Sequence, residues 1–343
     1  MEGIQHLRYK LGIAALLVSL TILLNAAKIL EIARINLGVN PMRGTINEGV
    51  ITLVDSLKGT IVAVNVKTKK IIARFSGFSY PVWGMYVDGN WYITDMFEGK
   101  FLELSFSGQA KRWIVLGGDP TVFIYHQGVF YVSLFSQGTL IGIDKQSFRI
   151  VERYRTGISS TYFTPTSKGI AYLCYWKNEG EPDVYYLHYG SMNPIYLGLS
   201  RPLRYLEGAS GDYVLDYKNG WLVKLVKGKI VWKRNLPDFA YDLSFYGTDI
   251  AIGSLVSPVI SVVDKNGNVR KIDVPHPVLC LEEFGAYLVA LSVEAEEIYL
   301  IKDDEVVETR KTGKYPLKIF KISENELAIL CSDSGELVFY KIF

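Results

Sequence analysis

The side chains best suited to nucleophilic, acid–base or metal chemistry are few and scattered. There are four histidines (His6, His126, His188 and His276) and three cysteines (Cys174, Cys280 and Cys331). Zinc and redox sites need ligands at short spacing, and no CxxC pair is present. Each cysteine sits in an apolar run and reads as a small buried hydrophobe. A Cys280–Cys331 disulfide has nothing in the sequence to support it. No GxSxG elbow marks a nucleophilic serine. Asp264-Lys265-Asn266-Gly267-Asn268 opens like a calcium loop but lacks the later Glu and the glycine spacing, so it reads as a hairpin turn. Catalysis has no positive sign, and no metal or cofactor is implied.

What would position any site is an internal repeat. Pro41, Pro81, Pro120, Pro202, Pro237, Pro277 and Pro316, with Thr161 in the one wide gap, recur every 35 to 41 residues. After each marker comes a strand-like run such as VITLVDS, NWYITDM or AYLVALS, then a tight turn. In six repeats that turn holds a glycine 18 or 19 residues after the marker: Gly59, Gly99, Gly138, Gly180, Gly220 and Gly335. A third and a fourth apolar run follow. Four strands at a period of about 40 residues are the signature of a β-propeller blade. The repeat beginning at Pro316 ends at Phe343 with room for three strands. Residues 28–35, KILEIARI, match the fourth strands and precede Pro41 as those precede their own prolines. The expected fold is thus an all-β propeller of eight four-stranded blades, its last blade completed by an N-terminal strand that removes an exposed edge. With 28–35 as a mere linker, seven complete blades and one open blade would remain.

Ligands of propellers gather where the loops leading into the innermost strands meet around the channel. The residues beside the markers are Asn40, Tyr80, Asp119, Ser160, Arg201, Asp238, His276 and Tyr315. Of these, Tyr80, Asp119, Arg201, Asp238, His276 and Tyr315 are the candidate binding residues, although Asp, Asn and Ser beside proline are also ordinary turn formers. Asp119, Asp238 and His276 are the only metal-type ligands there and belong to blades that are not all adjacent. Two hairpins, KNEGEPD at 177–183 and EAEE at 294–297, should project on the same face.

Residues 11–27, LGIAALLVSLTILLNAA, form an uncharged apolar run of 17 residues, at the lower limit for a membrane-spanning helix. Arg8 and Lys10 precede it, which favours residues 1–10 as a cytoplasmic tail, 11–27 as an uncleaved signal anchor and 28–343 as an extracytoplasmic propeller. Cleavage near Ala26 or Ala27 is the alternative, disfavoured by Leu24 or Asn25 where a small residue is wanted. Lys plus Arg (37) nearly balances Asp plus Glu (35), so no field favours nucleic acid.

Gly59–Phe75 (GTIVAVNVKTKKIIARF), Gly138–Tyr154 (GTLIGIDKQSFRIVERY) and Gly220–Asn235 (GWLVKLVKGKIVWKRN), with Trp113 and Trp232 late in their blades, resemble the repeats of pyrroloquinoline-quinone-like propellers. The whole repeat is similar to the YVTN-type surface-protein repeat. The likeness covers roughly residues 28–343 and specifies architecture only. The quinone enzymes use an adjacent cysteine pair and a calcium site, and no two cysteines are neighbours in this chain. The resemblance more readily implies a non-enzymatic, membrane-anchored scaffold with protein partners in the envelope. An enzyme, or a receptor for a small ligand or carbohydrate at the channel mouth, is the alternative.

Overall fold

Short runs of Val, Ile, Tyr and Phe bounded by Gly, Asp and Asn favour strands joined by tight turns, and that is how the chain folds. The computed structural model describes residues 28–343 apart from 158–161, 177, 179, 189–190 and 237–238. The sequence expectations for the tail and anchor at 1–27 lie outside the described residues. Among the latter, no helix is long and apolar enough to cross a membrane.

The described strands form eight antiparallel sheets of four strands each. Blade one is Arg43–Asn47, Val50–Asp55, Thr60–Asn65 and Lys70–Ser76. The first strands of blades two to eight are Pro81–Val87, Pro120–His126, Tyr162–Thr166, Pro202–Leu206, Ala240–Tyr246, Cys280–Phe284 and Pro316–Ser323. These first strands touch their counterparts in neighbouring blades and so form the wall of a central channel. The marker proline is the opening residue of the inner strand in blades two, three, five and eight. In blades one and seven the strand begins a little later, at Arg43 and Cys280. Proline fits a strand's first position because no ladder hydrogen bond is required there. The eighth sheet runs, from channel to rim, Pro316–Ser323, Glu326–Cys331, Glu336–Ile342 and Ile29–Asn36. Its outermost pair is antiparallel, from Ile29 opposite Ile342 to Asn36 opposite Glu336, with a bulge between Glu31 and Ala33.

The core lies between blades. Second and third strands are packed on both faces and therefore read as continuous apolar runs: every residue of Val50–Asp55 and of Val129–Leu134 is buried. Tyr92, Phe101, Phe123, Phe130 and Phe148 fill the space between blades two and three. Fourth strands alternate, as in Ile150–Arg155, because only one of their faces is covered.

The glycine that follows the second strand in six of the blades has a steric reason. Gly59 and Gly335 have φ of 57° and 61°. A Cβ on either would lie 2.2 Å from the Phe78 carbonyl oxygen or 2.6 Å from that of Val39. The hairpin needs a left-handed residue, and the next lead-in loop presses its backbone against it.

Candidate functional site

Because the strands of each blade alternate in direction, the lead-in loops and the second-to-third-strand hairpins emerge on one face. Two hydrogen bonds from Asn40 Nδ2, to the carbonyls of Ser332 (2.9 Å) and Asp333 (3.0 Å), tie a lead-in loop to a hairpin there. The sequence-derived residues sit in these loops. Tyr80 stacks on Phe97 with ring centroids 4.4 Å apart, and the Arg201 guanidinium lies 3.8 Å over the Trp176 ring. Asp119 accepts hydrogen bonds from the backbone and hydroxyl of Ser136. His276 is half-buried on the loop into blade seven, and Tyr315 is exposed with a φ of 55°. Asp238 and Ser160 lie outside the described residues.

Much of this loop chemistry holds the inner hairpins together. The carbonyls of Tyr80, Asp119, Arg201 and Tyr315 each accept the N–H of the residue following the second strand. The aspartate ending that strand, Asp55, Asp95 or Asp216, accepts backbone N–H groups of the lead-in loop, as Asp216 does from Ser200 (3.0 Å) and Arg201 (2.9 Å). Asp183, in the hairpin expected to project, is buried and accepts the N–H groups of Leu197, Gly198 and Leu199. In the 294–297 hairpin Glu297 pairs with Lys311 at 3.0 Å. Asp264 caps its own turn through Asn266 and Asn268, which holds its carboxyl below the usual range.

The concave site lies deeper, as a cavity of about 460 Å³ inside the channel. Blades two to eight line it, and none of Tyr80, Asp119, Arg201, His276 and Tyr315 reaches it. Its ionisable groups come from the inner strands of the last four blades: Arg204, Asp242, Glu282 and Lys318, together with Cys280. Arg204 Nε meets Asp242 Oδ1 at 2.8 Å, and the guanidinium stands 5.1 Å and 5.3 Å from the rings of Tyr162 and Tyr241. Burial works against this cation, but the Asp242 carboxylate, with Tyr162 and Tyr241 beside it, more than offsets burial and raises the guanidinium above its ordinary value. The other oxygen of Asp242 accepts the N–H of Leu281 at 3.0 Å, so one carboxylate ties blades five, six and seven.

Cys280 is no nucleophile at neutral pH. Burial pushes its thiol up to about 12, and Sγ donates to the Leu317 carbonyl at 3.3 Å. Burial likewise pushes Lys318 down to about 8, with the nearby Arg204 charge acting in the same direction. Its Nζ donates to the Gly44 carbonyl at 2.7 Å. Gly44 itself leaves no room for a side chain, since a Cβ there would lie 2.7 Å from Leu53 and 2.8 Å from Phe320. Among the described residues no cluster of His, Cys, Asp or Glu is arranged to hold a metal.

Burial pushes the Glu282 carboxyl up to about 7; Lys321 lowers it and Asp242 raises it. An unfolded glutamate titrates near ~4.3, so the native state keeps a proton that the unfolded chain has released. Glu282 thus contributes stability that is fully present below about pH 4 and lost as pH rises through about 7. Glu282→Gln is expected to stabilise the ring by about 2 kcal/mol at pH 8 and hardly at pH 4. Urea unfolding at the two pH values measures the difference.

Fold and cavity define the class: an eight-bladed propeller of four-stranded blades with a polar, aromatic-walled channel. Solved structures share the fold. BamB from Moraxella catarrhalis aligns with a TM-score of 0.71 at 11% identity, over 92% of this chain and 100% of that one. Virginiamycin B lyase from Staphylococcus aureus aligns at 0.57 and 11% identity, over 92% and 99%. BBS1N, solved in complex with ARL6DN, aligns at 0.56 and 12% identity, over 92% and 97%. The pyrroloquinoline-quinone-like and YVTN-type resemblance thus holds for the fold. No family model and no curated protein sequence matches the chain. A lyase among these neighbours means that fold alone does not decide activity.

Proposed function

We propose that this protein is a non-catalytic protein-interaction scaffold, held at a membrane by residues 11–27, with the lead-in-loop face as its docking surface. One observation carries the reading. Large apolar side chains stand exposed in the loops and hairpins of that face around the ring: Met42, Leu57 (88%), Phe97 (69%), Trp176, Val256 (58%) and Tyr315. Other exposed apolar groups, such as Trp113 and Val231, lie on the outer strands, but these six are carried by loops, where contacts on a rigid scaffold usually sit. Tyr80 on Phe97 and Arg201 on Trp176 add side chains already held by stacking, the types that most often dominate binding energy.

The orientation suits this role. Ile29–Asn36 is a fourth strand, so Lys28 lies on the face opposite the lead-in loops, next to Phe343, whose N–H donates to the Lys28 carbonyl at 2.9 Å. An anchor ending at Ala27 leaves the docking face turned away from the bilayer, in the extracytoplasmic space if Arg8 and Lys10 stay inside. That BBS1N is solved in complex with another protein supports such a use of the fold.

Tyr80→Ala, Arg201→Ala and Tyr315→Ala should each leave folding intact and weaken capture of a co-purifying protein from gently solubilised native membranes, by about 1–2 kcal/mol apiece. Undiminished capture by the triple variant would refute the docking face. The full chain should stay with the membrane pellet through a carbonate wash, whereas a chain starting at Lys28 should be washed free.

A further inference from the structure

The channel holds donors that the protein does not satisfy. Arg204 is neutralised by Asp242, but the Lys318 ammonium forms no ion pair among the described residues and donates to the Gly44 carbonyl. It stands 5.8 Å over the Trp83 ring. The indole N–H of Trp83, another lining residue, is buried with no acceptor among the described residues. A buried cation without a counter-ion and an unmade indole hydrogen bond are both costly; the first lacks a negative charge and the second an acceptor, and a carboxylate can supply both. The remaining wall offers flat apolar surface from Tyr162, Tyr241, Met85 and Ile124. The volume is within the range of small-molecule sites. The lining comes mainly from the leading half of each inner strand, which places the cavity toward the lead-in-loop face.

We propose that the channel binds a small organic anion, an aromatic or similarly flat carboxylate, with its charge on Lys318 Nζ and its body against Trp83, Tyr162 and Tyr241. The carboxylate supplies the ion-pair partner that Lys318 does not find among the described residues, and the Arg204–Asp242 pair and Glu282 form the rest of the charged wall. This site is separate from the docking face, since the loop residues Tyr80, Arg201 and Tyr315 do not line it.

Calorimetric titration of the full chain with benzoate, its uncharged counterpart benzamide and inorganic phosphate tests the proposal. Benzoate is expected to bind at one site per chain, at least tenfold more tightly than benzamide. Lys318→Met should weaken it at least tenfold while leaving the fold intact, and Trp83→Phe should weaken it less. The Tyr80→Ala, Arg201→Ala, Tyr315→Ala triple variant should bind benzoate as the parent does, so failure of the docking face and failure of the channel site are read separately. The proposal is overturned by no saturable benzoate binding up to about 10 mM, by equal binding of benzamide, by unchanged binding in Lys318→Met, or by binding of phosphate alone.

Discussion

A chain beginning at residue 38 is expected to melt at least about 10 °C below one beginning at residue 28. Ile29 and Leu37 are fully buried, and Ala33 and Ile35 pack against the cluster between blades eight and one. Each large apolar side chain so buried is worth about 1.5–3 kcal/mol. The truncation also strips the ladder that Glu336–Ile342 makes with Ile29–Asn36, leaving that strand as a sheet edge. Local polar contacts go with it: Glu308 Oε2 accepts the N–H groups of Lys28 (2.7 Å) and Ile29 (3.2 Å), and Arg34 bridges Glu31 and Glu336. Equal melting temperatures would mean that the N-terminal strand does not hold the ring closed.

The second large effect is expected at Asp242. Asp242→Ala leaves the Arg204 guanidinium without its carboxylate and the Leu281 N–H without its acceptor, at a cost of about 3–5 kcal/mol in denaturant unfolding. Asp242→Asn retains an acceptor for Leu281 and should cost less. Replacing both partners, as in Arg204→Met with Asp242→Leu, should recover most of the loss, because a buried pair exchanged for apolar groups is often neutral. If the double variant is no better than Asp242→Ala alone, the pair is not what joins these blades.

The architecture was legible because its physical causes are periodic. A glycine such as Gly59 is favoured where a hairpin meets the next loop, although Glu296 holds the same left-handed position in blade seven, and a proline such as Pro81 or Pro120 is tolerated where a strand starts. The candidate site was less legible. Residues beside the prolines stand out in the sequence, yet Asp119 and the backbone groups of Tyr80 and Arg201 are engaged in closing their own hairpins. The channel groups carried a weaker signal: charges at Arg204, Asp242, Glu282 and Lys318 within short inner strands, the last two of which also carry Glu283 and Lys321. An inner strand faces the channel on one side, so only a charge in the right register reaches the cavity, as Glu282 does and Glu283 does not. Reading that requires knowing which of four similar strands is innermost and where the bulges fall, between Ala240 and Asp242 and between Pro316 and Lys318. Asp183 shows the reverse case, a polar loop residue that is buried because three backbone N–H groups need it.

The direction of Ile29–Asn36 has a mechanical consequence. Lys28 and the lead-in loops lie on opposite faces, with this strand running from one to the other. If residues 11–27 are fixed in a bilayer and a partner pulls on the loop face, tension acts along the length of the strand. The ladder from Ile29 opposite Ile342 to Asn36 opposite Glu336 is then loaded in shear, and its hydrogen bonds share the force instead of parting one after another. A pull applied between Lys28 and Phe343, which are neighbours on the same face, would peel the same ladder open from its end. If the chain is anchored in that way, the pairing of Ile29–Asn36 with Glu336–Ile342 is strongest along the direction of the pull.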